Sequence, residues 1–434
     1  MAVTSTTMNA LVKKVFGDFN KAIPEFAVMQ ELCGFQERAK TGDFYEELIQ
    51  ISRSHGFTFG RTTRRTSYAL NDVQSLRTEP AQVYPSEIIG REQIAYGMLY
   101  AAEKAGEKAY AAAMGEALMS VLESHRFYLE YGMLYGDGGI VTGTITGRQA
   151  GLGTFAVAGT AVASEALRIT KASWAGGIWA QMENGKVDVY TPDLVTKRNT
   201  LPYTVTSVQA SARTVTLTEG TGGDVDLIQV GDVAVPYGSR NETMAGLDII
   251  ATNTGTLMAL SATTYGIWRA NIKDQAGVAA SVLDIHSALA AAIGRGLTGD
   301  CVVLLSHLAF MDMIEDTTAL RRFVEDTKTD VDQGTEKLSF HGANAGRLDF
   351  RPHPMVKAGD AFIFKPKEIV RGGDSDVSKG IQGQPNDDFF FNRPDNAACE
   401  VRNFSSQFIV HKMPSHLTKI YGIAPRCIPA PTLT

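Results

Sequence analysis

Between Gly106 and Leu134 the positions Tyr110, Met114, Leu118, Leu122, His125 and Leu129 recur at intervals of three and four. The remainder of the stretch carries Ala, Glu and Ser, so the spacing predicts one helix with a narrow inward stripe. At about 1.5 Å per residue it would exceed about 40 Å, which is long for a compact domain. Upstream, Leu11, Val12, Val15, Phe16 and Phe19 fit one helical face until Pro24 breaks it.

From Ser54 the pattern changes. "HGFTFGRTTRRTSYALNDVQSLRTEPAQVYP" sets Phe57, Phe59, Tyr68 and Val83 among Thr and Arg around a turn-prone "LND", which predicts a long β-hairpin. It is poor in large aliphatic residues and buries little against its own chain. A hairpin without a core is marginal in water, so this one is expected to lie on another surface.

Residues 156–237 alternate Thr and Val with a turn at "EGTGG", which predicts a small antiparallel barrel or sandwich. Helical and mixed text resumes after it, as around an insertion. "SVLDIHSALAAAIGRGLTG" then predicts a helix with glycines at its end, "CVVLLS" a buried strand, and "HLAFMDMIEDTTALRRFVED" another helix. Together they form a smaller α+β unit ending near Lys365. The tail returns to strand, with Val401, Phe404, Phe408 and Val410 in alternation.

Composition narrows the function classes. The chain has 434 residues, 44% hydrophobic and 20% charged, which fits a globular protein of two or three domains. Its formal charge of -6 makes any nucleic-acid contact a local one. Cys33, Cys301, Cys399 and Cys427 show no CxxC pairing, so no disulfide framework is expected and a reducing cytoplasm is the simpler setting. The first residues lack a charged segment leading into an apolar run, and no stretch nears the roughly 18 apolar residues of a membrane span. Synthesis in the cytosol and a soluble product are expected.

One stretch looks like chemistry. "YLEYGMLYGDGGIVTG" gathers Gly132, Gly136, Gly138 and Gly139 around Asp137. A phosphate loop needs strand, glycine turn and then helix, whereas here the glycines follow a helix and sit at its electronegative end. The expectation is a helix stop and tight turn, with Gly136 or Gly138 at positive φ. The eight histidines are dispersed with no HExxH, "DTKTDVDQGTE" puts Gly334 where a calcium loop needs a ligand, and "LLSHLAF" lacks the glycines of a nucleophile elbow. No catalytic, cofactor or metal residue is assigned. The cluster Arg61, Arg64 and Arg65 on the hairpin could meet nucleic-acid phosphates, carboxylates of a neighbouring subunit, or solvent.

The order of these segments resembles the major capsid proteins of tailed bacteriophages, the Hong Kong phage-type fold shared with the herpesvirus capsid floor. "LEYGMLYGDGG" looks like the end of that family's spine helix, "MAGLDIIATNTGTLMALSATTYGIWRANI" like its peripheral segment, and "ACEVRNFSSQFIVHKMPSHLTKIYGI" like its closing strands. The resemblance implies an α+β capsid fold. Its parts would be an N-terminal arm (1–53), an E-loop (54–105), a peripheral domain with the spine helix (106–168), an inserted β-rich domain (169–238), more peripheral domain (239–285), an axial domain (286–375) and a return to the peripheral domain (376–434). It also implies a non-enzymatic virion protein that forms hexamers and pentamers of an icosahedral shell around double-stranded DNA. Its partners would be a scaffolding protein, a portal and a decoration protein, with no membrane. Phe57, Phe59, Tyr68, Arg61, Arg64 and Arg65 would then be inter-subunit contacts.

Two departures stand beside the resemblance. Residues 54–100 contain no lysine, so the E-loop offers none for cross-linking to a neighbour's Asn. No long charged helical extension of the fused-scaffold kind is present in this chain. The alternatives are an encapsulin-like shell around a protein cargo and, from another class, a cytosolic hydrolase with a β accessory domain.

Overall fold

A computed structural model of the chain describes residues 27–40, 42–60, 68–95, 107–137, 151–159, 164–180, 182–218, 227–315, 338–342, 346–378, 390–392 and 398–426. The expected helix at Leu11–Phe19 and the acidic loop Asp326–Glu336 lie outside those residues.

The long helix forms where the spacing placed it, over Glu107–Tyr135, 29 residues. Its narrow stripe does not persist. Leu122, His125 and Leu129 are buried as expected, but from Leu129 to Tyr135 every residue is buried, whatever its face. The helix ends inside the protein, where three sheets converge, so its last two turns have no solvent side.

The helix lies across a five-stranded sheet whose centre is Ala398–His411. That strand pairs antiparallel with Ser86–Ala95, Ile369–Ser378 and Phe390–Asn392, and Phe35–Glu37 adds to Ile369–Ser378 in parallel. Side chains fasten helix to sheet: His125 Nδ1 meets Asn403 Oδ1 at 3.0 Å, its Nε2 meets Ser405 Oγ at 2.6 Å, and Asn403 Nδ2 donates to the Val121 carbonyl at 3.3 Å. Burial lowers the His125 pKa, against the hydrogen bond to Asn403 Oδ1 that raises it.

The hairpin begins earlier than its Thr- and Arg-rich text indicated. Its paired stem is Tyr45–Ser52 with Arg77–Val83, so one stem strand comes from the stretch assigned to the arm (1–53). Residues 53–60 and 68–76 carry no strand, and Ser86–Ala95, read as E-loop, belongs to the sheet under the helix. Burial explains the register: Tyr45, Ile49, Ala81 and Val83 turn one stem face onto the body, with the Tyr45 ring 4.6 Å from that of Phe408.

The inserted β region is a barrel. Six strands run in the order Gly153–Thr154, Val233–Pro236, Lys186–Tyr190, Tyr203–Gln209, Thr214–Thr218 and Ser164–Arg168. An antiparallel bridge, Phe155 to Ile169, joins the two outer strands and closes the ring. Thr/Val alternation supplies the inward set, with Phe155, Leu167, Val187, Val205, Val215 and Leu217 fully buried. The barrel therefore starts near Gly153, upstream of the 169 boundary. Its first and last strands come from text that carries little alternation of its own.

The third unit is a mixed six-stranded sheet in the order Asn271–Asp274, Thr418–Tyr421, Ala361–Phe364, Cys301–Leu305, Gly346–Pro352 and Leu338–Gly342. The helix Val282–Gly294 appears where the sequence predicted it, and "CVVLLS" is the buried strand Cys301–Leu305. His307–Glu315 forms the first part of the second predicted helix, whose remainder (316–326) lies outside the described residues. Ser281 caps the first helix reciprocally with Asp284: each side chain accepts the other's backbone N–H at 3.2 Å. This unit has a core of its own around Ile285, Leu289, Val303, Phe350 and Ile363. It extends past the 286–375 limits because Asn271–Asp274 pairs in parallel with Thr418–Tyr421 from the tail.

Candidate assembly surfaces and the junction behind them

Beyond its stem the hairpin rests on almost nothing among the described residues. Phe59 is 94% exposed, Val73 84% and Leu70 80%, and Phe57, Tyr68 and Leu76 are also exposed. The two arms are tied sparsely: His55 N donates to the Gln74 carbonyl at 3.1 Å, Asn71 Nδ2 to the Phe57 carbonyl at 2.8 Å, and Asn71 N to Thr58 Oγ1 at 2.8 Å. Tyr68 folds its ring against Gly60, where a Cβ would come within 2.5 Å of it. Of the sequence-predicted contact residues, the structure thus places Phe57, Phe59 and Tyr68 together on the exposed tip. Arg61, Arg64 and Arg65 lie outside the described residues.

The stem is anchored firmly. Gln82 N donates to the Met258 carbonyl at 3.0 Å, Arg77 Nη2 to Tyr265 Oη at 3.0 Å, and Lys412 Nζ lies 3.3 Å from Glu47 Oε1. An exposed apolar tip of this kind is the sort of surface on which another molecule can dock. Each large apolar side chain covered there would contribute about 1.5–3 kcal/mol.

At the other end of the long helix, the glycine cluster has a structural role, and its reason differs from the expected one. Gly136 does not adopt positive φ. It is glycine because another backbone passes too close: a Cβ on Gly136 would overlap the carbonyl oxygens of Met244 and Gly132, and one on Gly246 would sit 2.7 Å from Gly136 N. Two glycines let the helix end and the segment 244–246 touch, and Gly246 N donates to the Gly136 carbonyl at 3.0 Å. Gly138 lies outside the described residues.

Asp137 completes the clamp. Its carboxylate pairs with Arg240 Nη1 at 2.5 Å and accepts from Asn241 N at 3.2 Å and Thr243 Oγ1 at 2.9 Å. The acid that could have marked a phosphate loop instead fastens the helix end to the strand leaving the barrel.

Two more buried sites complete the junction. Glu130, fully buried on the long helix, accepts from Met29 N at 2.6 Å and Gln30 N at 3.3 Å in the first turn of the short helix Val28–Leu32. It also accepts from His353 Nε2 at 2.8 Å. His353 Nδ1 receives the Met355 N–H at 3.0 Å, which fixes the Nε2–H tautomer. One carboxylate thus joins the N-terminal segment, the long helix and the third unit.

Deeper still, Lys419, Asp248, Asp360 and Lys357 are all within 1% of full burial. Lys419 Nζ contacts Asp248 Oδ1 directly and lies 3.4 Å from Asp360 Oδ1. Tyr135 Oη donates to Asp360 Oδ2 at 3.2 Å, and Lys357 Nζ donates to the Gly151 carbonyl at 2.7 Å. Burial pushes the Asp360 carboxyl up to about 6, against the Lys419 ammonium that pulls it down. For Lys419, burial alone lowers the value, but Asp248 and Asp360 more than reverse it and hold the ammonium above its usual range.

None of these junction residues carries a sequence motif. A signal does exist in the text: Glu130 in "FYLEYGML", Lys357 in "PMVKAGDAFIF" and Lys419 in "HLTKIYGI" are charges set inside apolar runs. Such charges are buried only when paired. The buried thiols Cys33 and Cys301 are free, and burial pushes them up to about 12 and about 11. Among the described residues no group of three His, Cys, Asp or Glu is placed to hold a metal ion, and no helix is long and apolar enough to cross a membrane.

No protein-family model matches the chain, and no curated protein does. Solved structures do. The chain is similar to the subunit of a cyanophage A-1(L) capsid asymmetric unit at 12% identity and a TM-score of 0.50, covering 97% of this chain and 100% of that one. It overlaps more loosely with a cyanophage Pam1 capsid asymmetric unit (11% identity, TM-score 0.41, 91% and 89% covered). A holo-SrpI encapsulin complex from Synechococcus elongatus PCC 7942 overlaps similarly (8% identity, TM-score 0.41, 99% of each covered). The first of these carries the fold assignment: the chain has the phage capsid fold that its segment order resembles.

Proposed function

We propose that this chain is the major capsid protein of a tailed phage, a non-enzymatic building block. Its copies would close as hexamers and pentamers into an icosahedral shell around double-stranded DNA. The subunit would be made in the host cytoplasm and reside in the virion. It would assemble with further copies of itself, a scaffolding protein, a portal and a decoration protein. In this reading the hairpin tip drapes over a neighbour, with Phe57, Phe59 and Tyr68 as apolar anchors and Arg61, Arg64 and Arg65 as charged ones. Head-to-tail contacts of that kind close into rings, and modest contacts summed over a shell give cooperative assembly. The formal charge of -6 suits a wall that must not grip its DNA tightly.

The observation that carries the proposal is the combination of a firmly held stem and an uncovered apolar tip on a chain with the phage capsid fold. Negative-stain microscopy and a sizing column on the purified full-length protein test it. Shells or capsomer rings are expected. A single monomeric or dimeric species under every assembly condition would remove the proposal and favour the hydrolase alternative. The contents of the particles decide between genome and cargo: nuclease-protected DNA supports the virion reading, and a co-purifying enzyme inside supports the encapsulin-like one.

A further inference from the structure

The Lys419–Asp248–Asp360 group is more than a buried ion pair requires. Lys419 meets two carboxylates, and aromatic rings pack beside it. Lys419 Nζ lies 5.6 Å from the centre of the Phe362 ring, and Tyr135 packs edge-on against Phe362 with ring centres 6.0 Å apart. Asp248 sits on the helix Leu247–Thr252, all six of whose residues are buried. Lys419 is on the strand Thr418–Tyr421, flanked by Leu417 and Ile420 with no exposed surface.

We propose that Lys419 and Asp248 condense inside the folded subunit to an intrachain amide, with Asp360 as the acid that serves the reaction. A proton first passes from the Lys419 ammonium to the Asp248 carboxylate with which it is in contact, and the freed Nζ lone pair then attacks Cγ of Asp248, forming the C–N bond. One carboxyl oxygen then leaves with its bonding electrons and is protonated by Asp360 as water. Asp360 recovers a proton from Nζ as the amide forms. Overall one ammonium and one carboxylate become one amide and one water, and no oxidant or further reactant is needed.

Four features of the site favour this step. Lys419 Nζ already contacts the Asp248 carboxylate through Oδ1, and the two side chains are carried by separate elements, a strand and a helix. Orientation of that kind is worth effective molarities of about 10⁵–10⁸ M in favourable intramolecular reactions. The ammonium–carboxylate pair differs from the reactive amine–acid pair by a single proton hop along the existing contact between Lys419 Nζ and Asp248 Oδ1. Asp360 lies 3.4 Å from Lys419 Nζ through Oδ1, burial raises its carboxyl towards the range of a general acid, and the Tyr135 hydroxyl donates to its far oxygen at 3.2 Å. Condensation also removes one cation and one anion together, Lys419 and Asp248, so the net charge of the buried group does not change.

The product would staple the helix Leu247–Thr252 to the tail strand of the third unit. This function is independent of what the shell encloses, and it differs from a bond between neighbouring subunits because both partners belong to one chain.

Intact-mass measurement of the denatured full-length protein tests the proposal, followed by tryptic mapping. The expected mass is lower than the sequence mass by one water. The expected peptide joins 241–269 to 413–426, with cleavage after Lys419 absent because its amine is acylated. Lys419→Arg keeps the charge but cannot make the bond, and should return to the full mass. Asp360→Asn, lacking the acid, should also stay at full mass or lose water far more slowly. A wild-type protein at full sequence mass, with 413–419 and 420–426 recovered separately, overturns the proposal. So does a mass deficit that persists in Lys419→Arg, since the water would then be lost elsewhere, or a linkage mapped to Asp360. Because the wild-type mass decides the matter alone, the result stands even if a variant fails to fold.

Discussion

At Tyr135 the long helix ends among side chains that are all buried, with its carboxylate, amide and hydroxyl neighbours each paired to a residue far away in sequence. At Phe59 the hairpin tip holds a phenyl ring almost wholly in water, with only a few hydrogen bonds among the described residues to keep the two arms together. Both regions contain glycines, aromatics and charges. They differ in what completes them. The helix end is over-determined by its own chain, whereas the described part of the tip is left exposed. A protein that must fold as a subunit and then assemble divides its binding surface in this way, because an apolar tip satisfied within the subunit would have nothing left to offer a neighbour.

The largest expected effect falls at the helix. Glu130→Ala leaves Met29 N, Gln30 N and His353 Nε2 without their buried acceptor. We expect a loss of about 3 kcal/mol or more in subunit stability by urea unfolding. A loss below about 0.5 kcal/mol, the scale of an ordinary surface substitution, would show that this junction does not hold the helix.

A matched glycine pair sharpens the comparison. Gly136→Ala must push a backbone carbonyl aside and should cost about 2 kcal/mol. Gly60→Ala meets only the movable ring of Tyr68, which can swing into solvent, and should change subunit stability by less than about 0.5 kcal/mol. Equal costs at the two positions would erase the distinction between helix end and tip.

Acid should act on the buried side as well. Burial lowers the His411 pKa from 6.5 to about 4, with Glu368 opposing the shift and His416 adding to it. A depressed histidine contributes stability that is complete above its ordinary value and is lost as pH falls through 6.5 towards 4. The expected loss between pH 7 and pH 5 is about 1–2 kcal/mol. His411→Asn, whose side-chain oxygen can still accept the Met413 N–H, should flatten that part of the pH profile. An unchanged slope in the variant would assign the acid sensitivity elsewhere.

The smallest effects on folding are expected at the tip. The double variant Phe57→Ser with Phe59→Ser should unfold at the wild-type urea midpoint while yielding few or no particles by microscopy. Reversal of charge at Arg64 and Arg65 to Glu should do the same, through lost carboxylate pairing with a neighbour. Normal shells from either variant would detach assembly from the hairpin.

Local pattern alone makes several elements legible. The long helix, the helices at Val282 and His307, the strand Cys301–Leu305 and the barrel-forming alternation each follow from spacings within a few residues. Misplaced limits fall where a partner is remote. Nothing within Tyr45–Ser52 announces that its mate is Arg77–Val83, and Thr418–Tyr421 joins a sheet whose other members lie between residues 271 and 364. Of the candidate site, the exposed aromatics are readable because Phe57, Phe59 and Tyr68 stand among Thr and Arg with no aliphatic core nearby. Glu130, His353, Asp248, Asp360 and Lys419 are not, since a charged residue reads as solvated until its partner is known.

What the sequence determined by itself was periodicity: helix or strand, apolar or bare, and that a glycine cluster follows a helix and so cannot cradle phosphate. The reason Gly136 must be glycine came only from the tertiary structure, because the obstacle is the carbonyl of Met244, more than a hundred residues away. The pairing of Lys419 with Asp248 and Asp360 is of the same kind. Close approach and buried charge are properties of two chain segments at once, and a single stretch of sequence specifies only its own half.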